Sequence, residues 1–120
     1  MVLGERILEI SGASNTRDLS LLPQLKRLKK LVALHSEVND IRPLAKCRNL
    51  EYLVLSDHVT DVSALAGRKK LRYLNLSVNE IRDPTPLAEL SGLTKFVGPT
   101  TESGQLEALR KVLPNCQIEG

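Results

Sequence analysis

The sequence predicts an α/β repeat solenoid. The expected form is a short arc with a parallel sheet on its concave face, 3₁₀ or extended turns on its convex face, and a helix capping the C-terminal end. Three observations lead there. Leucine supplies 23 of the 120 residues, while the aromatics are only Tyr52, Tyr73 and Phe96, with no Trp. A core so rich in one aliphatic side chain points to repetition. Four aspartates, Asp18, Asp40, Asp61 and Asp83, follow one another at separations of 22, 21 and 22 residues. Between them the apolar residues fall into columns: Leu28, Leu50, Leu71 and Leu93; Leu31, Leu53, Leu74 and Phe96; Ala33, Leu55, Leu76 and Gly98; Val38, Val59 and Ile81; Leu44, Leu65 and Leu87. Architectures that depend on buried or stacking aromatics, such as an immunoglobulin sandwich or a base-stacking RNA domain, are excluded.

The columns divide the chain into about five coils of one domain, residues 6–27, 28–49, 50–70, 71–92 and 93–118. The first coil is the weakest, with Leu8 and Ile10 at strand positions and Asp18, Leu22 and Leu25 in register. No capping helix precedes it, so its strand is expected to be an open edge guarded by Glu5, Arg6 and Glu9. An open edge implies either a longer array or pairing with another chain, including a second copy of this one. In each later coil the L-x-L segment forms a short strand whose side chains alternate: Leu53 and Leu55 point one way, Val54 and Ser56 the other. Coils stacked ~4.8 Å apart pair these strands into a parallel sheet, and the leucines are buried only by neighbouring coils.

Each aspartate begins a return segment, where its carboxylate can accept hydrogen bonds from N–H groups two or three residues on. Pro43, Pro84 and Pro86 follow closely, as suits the start of a helical turn. The space before the next strand is short, which favours 3₁₀ turns over full helices. Arg68 stands in the column of Leu25, Cys47 and Leu90, so a local shift at Gly67 or an outward swing is expected. Residues 101–113 carry Leu106, Leu109 and Leu113 at helical spacing, with Thr101 or Ser103 as cap. A last short strand should then turn Cys116 and Ile118 to the core.

The pattern L-x-x-L-x-L, then I-x-D, then P-L-A resembles the 22-residue class of leucine-rich repeats, familiar from bacterial internalins and a regulatory subunit of protein phosphatase one. The resemblance covers roughly residues 6–118. It implies a protein-interaction role as scaffold, regulatory subunit, or bacterial effector or immunity component. There are departures. The asparagine that follows the strand in that class survives only as Asn79, Ser36 replaces it in one coil, and residues 50–70 are one residue short there. The usual asparagine hydrogen-bond ladder should therefore be incomplete.

Net charge is +3, too mild for a dedicated nucleic-acid binder. The first ten residues do not read as a signal peptide and no apolar run reaches membrane-helix length, so a cytoplasmic protein is expected. Cys47 and Cys116 lack metal-ligand spacing and read as buried thiols. His35 and His58 lie about one coil apart, but two histidines without a third ligand make a poor metal site. No nucleophile–base constellation or phosphate-cradling loop is present, so neither enzyme activity nor a cofactor is expected.

Function is expected on the strand positions that face away from the core. One concave column reads Glu9, Val32, Val54, Asn75 and Val97. Beside it run Lys30, Tyr52, Tyr73 and Lys95, and a third holds Ser11, Leu34, Ser56, Ser77 and Pro99. Tyrosines beside Val32, Val54 and Leu34 make a protein-binding surface, with Asn75, Lys30 and Lys95 around them. The alternative is a register slip in residues 31–34 that buries Leu34 in place of Ala33. Basic residues gather before the strands: Lys26, Arg27, Lys29, Arg48, Arg68, Lys69, Lys70 and Arg72. This rim could dock an acidic partner or contact phosphate or nucleic-acid backbone, although no stacking aromatics interleave with it. Glu37, Asp57, Glu80 and Glu102 should line the opposite rim. A third alternative is a structural segment of a larger protein.

Overall fold

The computed structural model describes residues 2–3, 7–10, 28–33, 40–55, 59–77, 83, 85–98 and 103–119. Its strands are β1 (Val2–Leu3), β2 (Ile7–Ile10), β3 (Lys30–Ala33), β4 (Tyr52–Leu55), β5 (Tyr73–Asn75), β6 (Lys95–Val97) and β7 (Gln117–Glu119). They lie in chain order in one sheet. From β2 to β7 every pairing is parallel, one coil to the next. Sequential parallel strands joined by full coils are what a solenoid requires.

The N-terminal edge differs from expectation. β1 pairs antiparallel with β2, Val2 opposite Glu9 and Leu3 opposite Leu8. The strand at Leu8–Ile10 is therefore covered rather than open. Leu8 and Glu9 pair with the chain's own first residues, and the edge of the sheet passes from β2 to the two-residue β1.

Register follows the sequence columns. Leu8, Leu31, Leu53, Leu74, Phe96 and Ile118 are successive partners across the sheet. Leu31, Leu53, Leu74, Ala33, Leu55 and Leu76 are buried in one core with Leu44, Val59, Leu65 and Leu87 from the return segments. Ala33 pairs with Leu55 and is fully buried, so the register in 31–33 is the unslipped one; Leu34 lies outside the described residues.

The return segments are 3₁₀ turns at Arg42–Lys46, Ser63–Leu65 and Thr85–Glu89. Each starts two residues after an aspartate that accepts a backbone N–H: Arg42 to Asp40 Oδ1 at 3.0 Å, Ser63 to Asp61 Oδ1 at 2.9 Å, and Thr85 to Asp83 Oδ1 at 3.0 Å. The aspartate column is thus a repeated turn device. Asp18 and the residues around it lie outside the described residues.

The C-terminal helix α1 (Ser103–Val112) closes the far end of the stack. Leu109 and Leu113 enter the core, while Val112 on the other face is exposed. Arg110 donates to the Ile118 carbonyl at 3.3 Å, tying the helix to β7. Cys116 and Ile118 are partly buried against the core, as their spacing predicted.

Candidate functional site

The sheet has one face on the core and one turned away from it. What aligns the second face is a ladder of shared acceptors just before the strands. The Lys29 carbonyl accepts from Glu51 and Tyr52, that of Glu51 from Arg72 and Tyr73, and that of Arg72 from Thr94 and Lys95. Each strand therefore starts level with the one before it. The outward residues form two rows: Lys30, Tyr52, Tyr73, Lys95 and Gln117 near the strand starts, then Val32, Val54, Asn75, Val97 and Glu119, while the Glu9 side chain of the expected column lies outside the described residues.

The first row holds both tyrosines of the chain. Their rings are stacked, with centroids 4.4 Å apart and planes inclined by 7°. That spacing is close to the ~4.8 Å between strands, so the sheet itself brings the rings into contact. Lys30 places its ammonium 4.7 Å from the centre of the Tyr52 ring, a cation–π contact. Both side chains are half-buried, and burial raises the Tyr52 phenol above its usual pKa, with the Tyr73 phenol adding to the effect. At the other end of the row Lys95 lies 3.8 Å from the Glu119 carboxylate.

In the second row Val32, Asn75 and Val97 are half-buried, as expected of an open face. Val54 departs from expectation: it points away from the core but is only 8 % exposed. A short branched side chain on an inner strand, with Val32 and Asn75 beside it and Tyr52 two residues before it, presents little surface to water. Asn75 accepts from the Ser77 N–H at 3.0 Å, which fixes the chain as it leaves β5. Leu34 of the expected set lies outside the described residues.

Six of the eight residues expected on the basic rim are described. Arg48, Lys69, Lys70 and Arg72 are exposed. Lys70 reaches Asn49 Oδ1 at 2.9 Å and Lys29 lies 3.7 Å from Glu51. Lys26 and Arg27 lie outside the described residues, as do Glu37, Asp57, Glu80 and Glu102 of the opposite rim and both histidines. Arg68 resolves as the sequence suggested. Gly67 takes φ +76°, and Arg68 reaches back across one coil to donate to the Ala45 carbonyl at 2.7 Å. Its Nε is buried without a partner. Burial pushes the nearby Cys47 thiol up to about 11, an effect the Arg68 charge only partly offsets.

A cavity of about 430 Å³ on the return segments is lined by Asp40, Ile41, Arg42, Thr60, Asp61, Ser63 and Ala64. Its carboxylates are already engaged. Arg42 grips Asp40 with two nitrogens, Nε at 2.9 Å from Oδ1 and Nη2 at 2.8 Å from Oδ2, and holds that acid down at about 2. Among the described residues no group of three potential metal ligands comes together, and no helix is long and apolar enough to cross a membrane.

Three features of the site escaped the sequence reading: the ring stack itself, the lysine over Tyr52, and the Lys95–Glu119 pair. The first two were accessible in principle, because residues one coil apart in the same column become neighbours. Glu119 would have required the register of β7.

No protein-family model and no curated protein matches the chain. Solved structures do. An internalin (inlF) of Listeria monocytogenes matches with TM-score 0.74 and 29 % identity, covering 90 % of this chain and 33 % of that one. Internalin C2 of the same organism matches with TM-score 0.68 and 31 % identity over 87 % of this chain and 50 % of its own. A leucine-rich repeat protein of Leptospira interrogans matches with TM-score 0.70 and 26 % identity, over 81 % of this chain and 26 % of its own. The chain thus spans between about a quarter and a half of the length of these solved chains.

Proposed function

Because the chain is a leucine-rich repeat protein, we propose that it is a non-catalytic interaction module that seats a protein partner on the outward face of its sheet. The observation that carries this reading is the Tyr52–Tyr73 stack, half-exposed in a row between two lysines. Paired aromatics held rigid at the centre of a face, with Val32 and Asn75 beside them, have the composition of an interface hot spot. Tyr52, Tyr73, Val32, Leu34, Lys30, Lys95 and Asn75 are the contact residues, with Val54 as their support. Residues 1–120 act as one unit in this reading. The role is that of a scaffold or regulatory subunit in the cytoplasm.

The test compares affinity capture by the wild-type chain and by the double variant Tyr52→Ala, Tyr73→Ala. Capture of specific partners should fall sharply while the variant stays folded. Unchanged capture by a folded variant would end the reading. The exposed Arg48, Lys69, Lys70 and Arg72 favour a second reading, contact with phosphate or nucleic-acid backbone along the rim. A steep loss of affinity with salt would support it, and a shallow one the tyrosine face.

A further inference from the structure

We propose that the segment seated on this face is an extended acidic peptide with the pattern acid–x–apolar–x–acid, lying across the strands along the Lys30–Tyr52–Tyr73–Lys95 row; this rests on the reading that the face binds protein.

The charge distribution is the first support. Among the residues whose side chains are described, the strand-start row and its rim carry Lys29, Lys30, Arg48, Lys69, Lys70, Arg72 and Lys95, seven cations, against the two acids Glu51 and Glu119. That difference, seven minus two, is +5. The whole chain is +3, so everything else sums to −2. The two rows also differ from each other. Lysines flank the tyrosines near the strand starts, while Glu119 stands at the end of the second row.

Geometry supplies the pattern. Lys30 and Lys95 are three strand spacings apart, ~14 Å at ~4.8 Å each. An extended chain advances ~3.3–3.4 Å per residue, so ~14 Å is about four residues, and positions i, i+2 and i+4 share one side. Two carboxylates four apart would meet the two lysines, and the residue midway between them would lie on the ring edges of Tyr52 and Tyr73. An apolar side chain suits that place. Neither lysine is locked away. The Lys30 ammonium has three N–H groups and lies over a ring face. Lys95 and Glu119 form a pair at 3.8 Å with side chains 37 % and 49 % exposed, which an incoming carboxylate can exchange at little cost.

The test titrates the full chain, labelled for amide NMR, with three synthetic peptides containing Glu-Ser-Leu-Ser-Glu, Gln-Ser-Leu-Ser-Gln or Lys-Ser-Leu-Ser-Lys between Gly-Ser ends. The Glu peptide should shift the amides of Lys30, Tyr52, Tyr73 and Lys95, and the Gln peptide should bind about tenfold more weakly, the loss expected of two partly exposed charge pairs. The variant Lys30→Glu, Lys95→Glu should prefer the Lys peptide. Lys30→Glu alone, which leaves Glu119 paired, should weaken the Glu peptide and serves if the double variant melts early.

Equal binding of the Glu and Gln peptides, no binding of any, or no change of preference on charge reversal would overturn the acidic pattern. So would a single-stranded oligonucleotide that shifts the same amides at lower concentration than the Glu peptide. If charge reversal has no effect but Tyr52→Ala, Tyr73→Ala abolishes binding, the face is right and the acid requirement wrong. Peptide-induced shifts confined to the return segments would refute both readings together.

Discussion

Replacing Tyr52 by Ala, Tyr73 by Ala, and both together measures what the stacked pair contributes to folding, and so whether the face can be altered without unfolding the chain. The rings lie 4.4 Å apart and nearly parallel. Such a pair contributes ~0.5–1.5 kcal/mol beyond the area it buries. The double-mutant cycle should therefore return a coupling of about 1 kcal/mol, well outside the ~0.3–0.5 kcal/mol scatter of independent sites. Leu53 provides the internal comparison. It is the next residue along the chain, faces the core, and has no exposed surface; its truncation to Ala should cost ~2–5 kcal/mol. A chain of 120 residues has ~6–18 kcal/mol of stability in total at ~0.05–0.15 kcal/mol per residue. Leu53→Ala thus removes a large share of it, whereas each tyrosine variant leaves the protein folded. Urea titration followed by far-UV circular dichroism gives the energies, with an unchanged m-value as the check that all variants unfold in two states. In thermal melts ~2.1 cal/mol/K per residue makes 1 kcal/mol worth about 4 °C. A coupling within the additivity scatter would show that the rings do not interact. A tyrosine variant as damaging as Leu53→Ala would place the tyrosines in the core.

Other consequences can be checked on the same material. Gly92→Ala should destabilise by ~1–3 kcal/mol, because the added Cβ would collide with the Lys69 carbonyl of the preceding coil, backbone against backbone. Gly67→Ala meets open space but must hold φ +76°, so it should cost ~1–2 kcal/mol through strain alone; neutrality at Gly92 would refute the close approach of the coils. Acid should also destabilise the protein, with the sign set by the turn aspartates. Asp40 is held at about 2 against an ordinary 3.8, and Asp61 and Asp83 are also lowered, so the unfolded chain takes up protons first. Their contribution is complete above the ordinary value and is lost as pH falls from about 4 towards about 2; Asp40→Asn and Asp83→Asn should flatten the dependence of the urea midpoint on pH in that window. Finally, Cys47 is buried with its thiol pushed up to about 11, while Cys116 is only half-buried. Alkylation at mild pH should label Cys116 first and Cys47 at the rate of unfolding, as peptide mass mapping would read; early labelling of Cys47 would mean that the stack opens locally around it.

The fold was legible because the solenoid imposes the same demand at every coil. Leu31, Leu53 and Leu74 occupy equivalent places against each other, so the period appears directly in the residues, and the aspartates mark where each coil must turn. What could not be read is whatever the period does not govern. The pairing of Val2–Leu3 with β2 lies before the first repeat, and its antiparallel direction follows from no column. The burial of Val54 depends on the height of its neighbours rather than on its own alternation. The candidate site was half legible. Its columns placed Tyr52 beside Tyr73, but the ion pair of Lys95 needed the register of β7. Arg68 lies between these cases: its place in a leucine column announced a disturbance, while the carbonyl it reaches, that of Ala45, could only be seen in the fold.

The repeat also explains why function should be sought where the columns lose uniformity. A core position must match the coils above and below it in volume, because a cavity or an overlap is felt by both. That requirement ends at the outward face. The sheet fixes where each side chain begins there, but not what it is, and the strand-start row accordingly reads Lys, Tyr, Tyr, Lys, Gln. Packing does not require two aromatics to meet in that row, nor a lysine to lie over one of them. Once they do, the strand spacing holds the rings nearly parallel without help from the core. A partner that lands on them finds side chains whose rotamers are already restricted, so less conformational entropy is lost on binding than at a surface of free long side chains. The same rigid spacing that makes the leucines uninformative about function is therefore what would make the tyrosines effective in it.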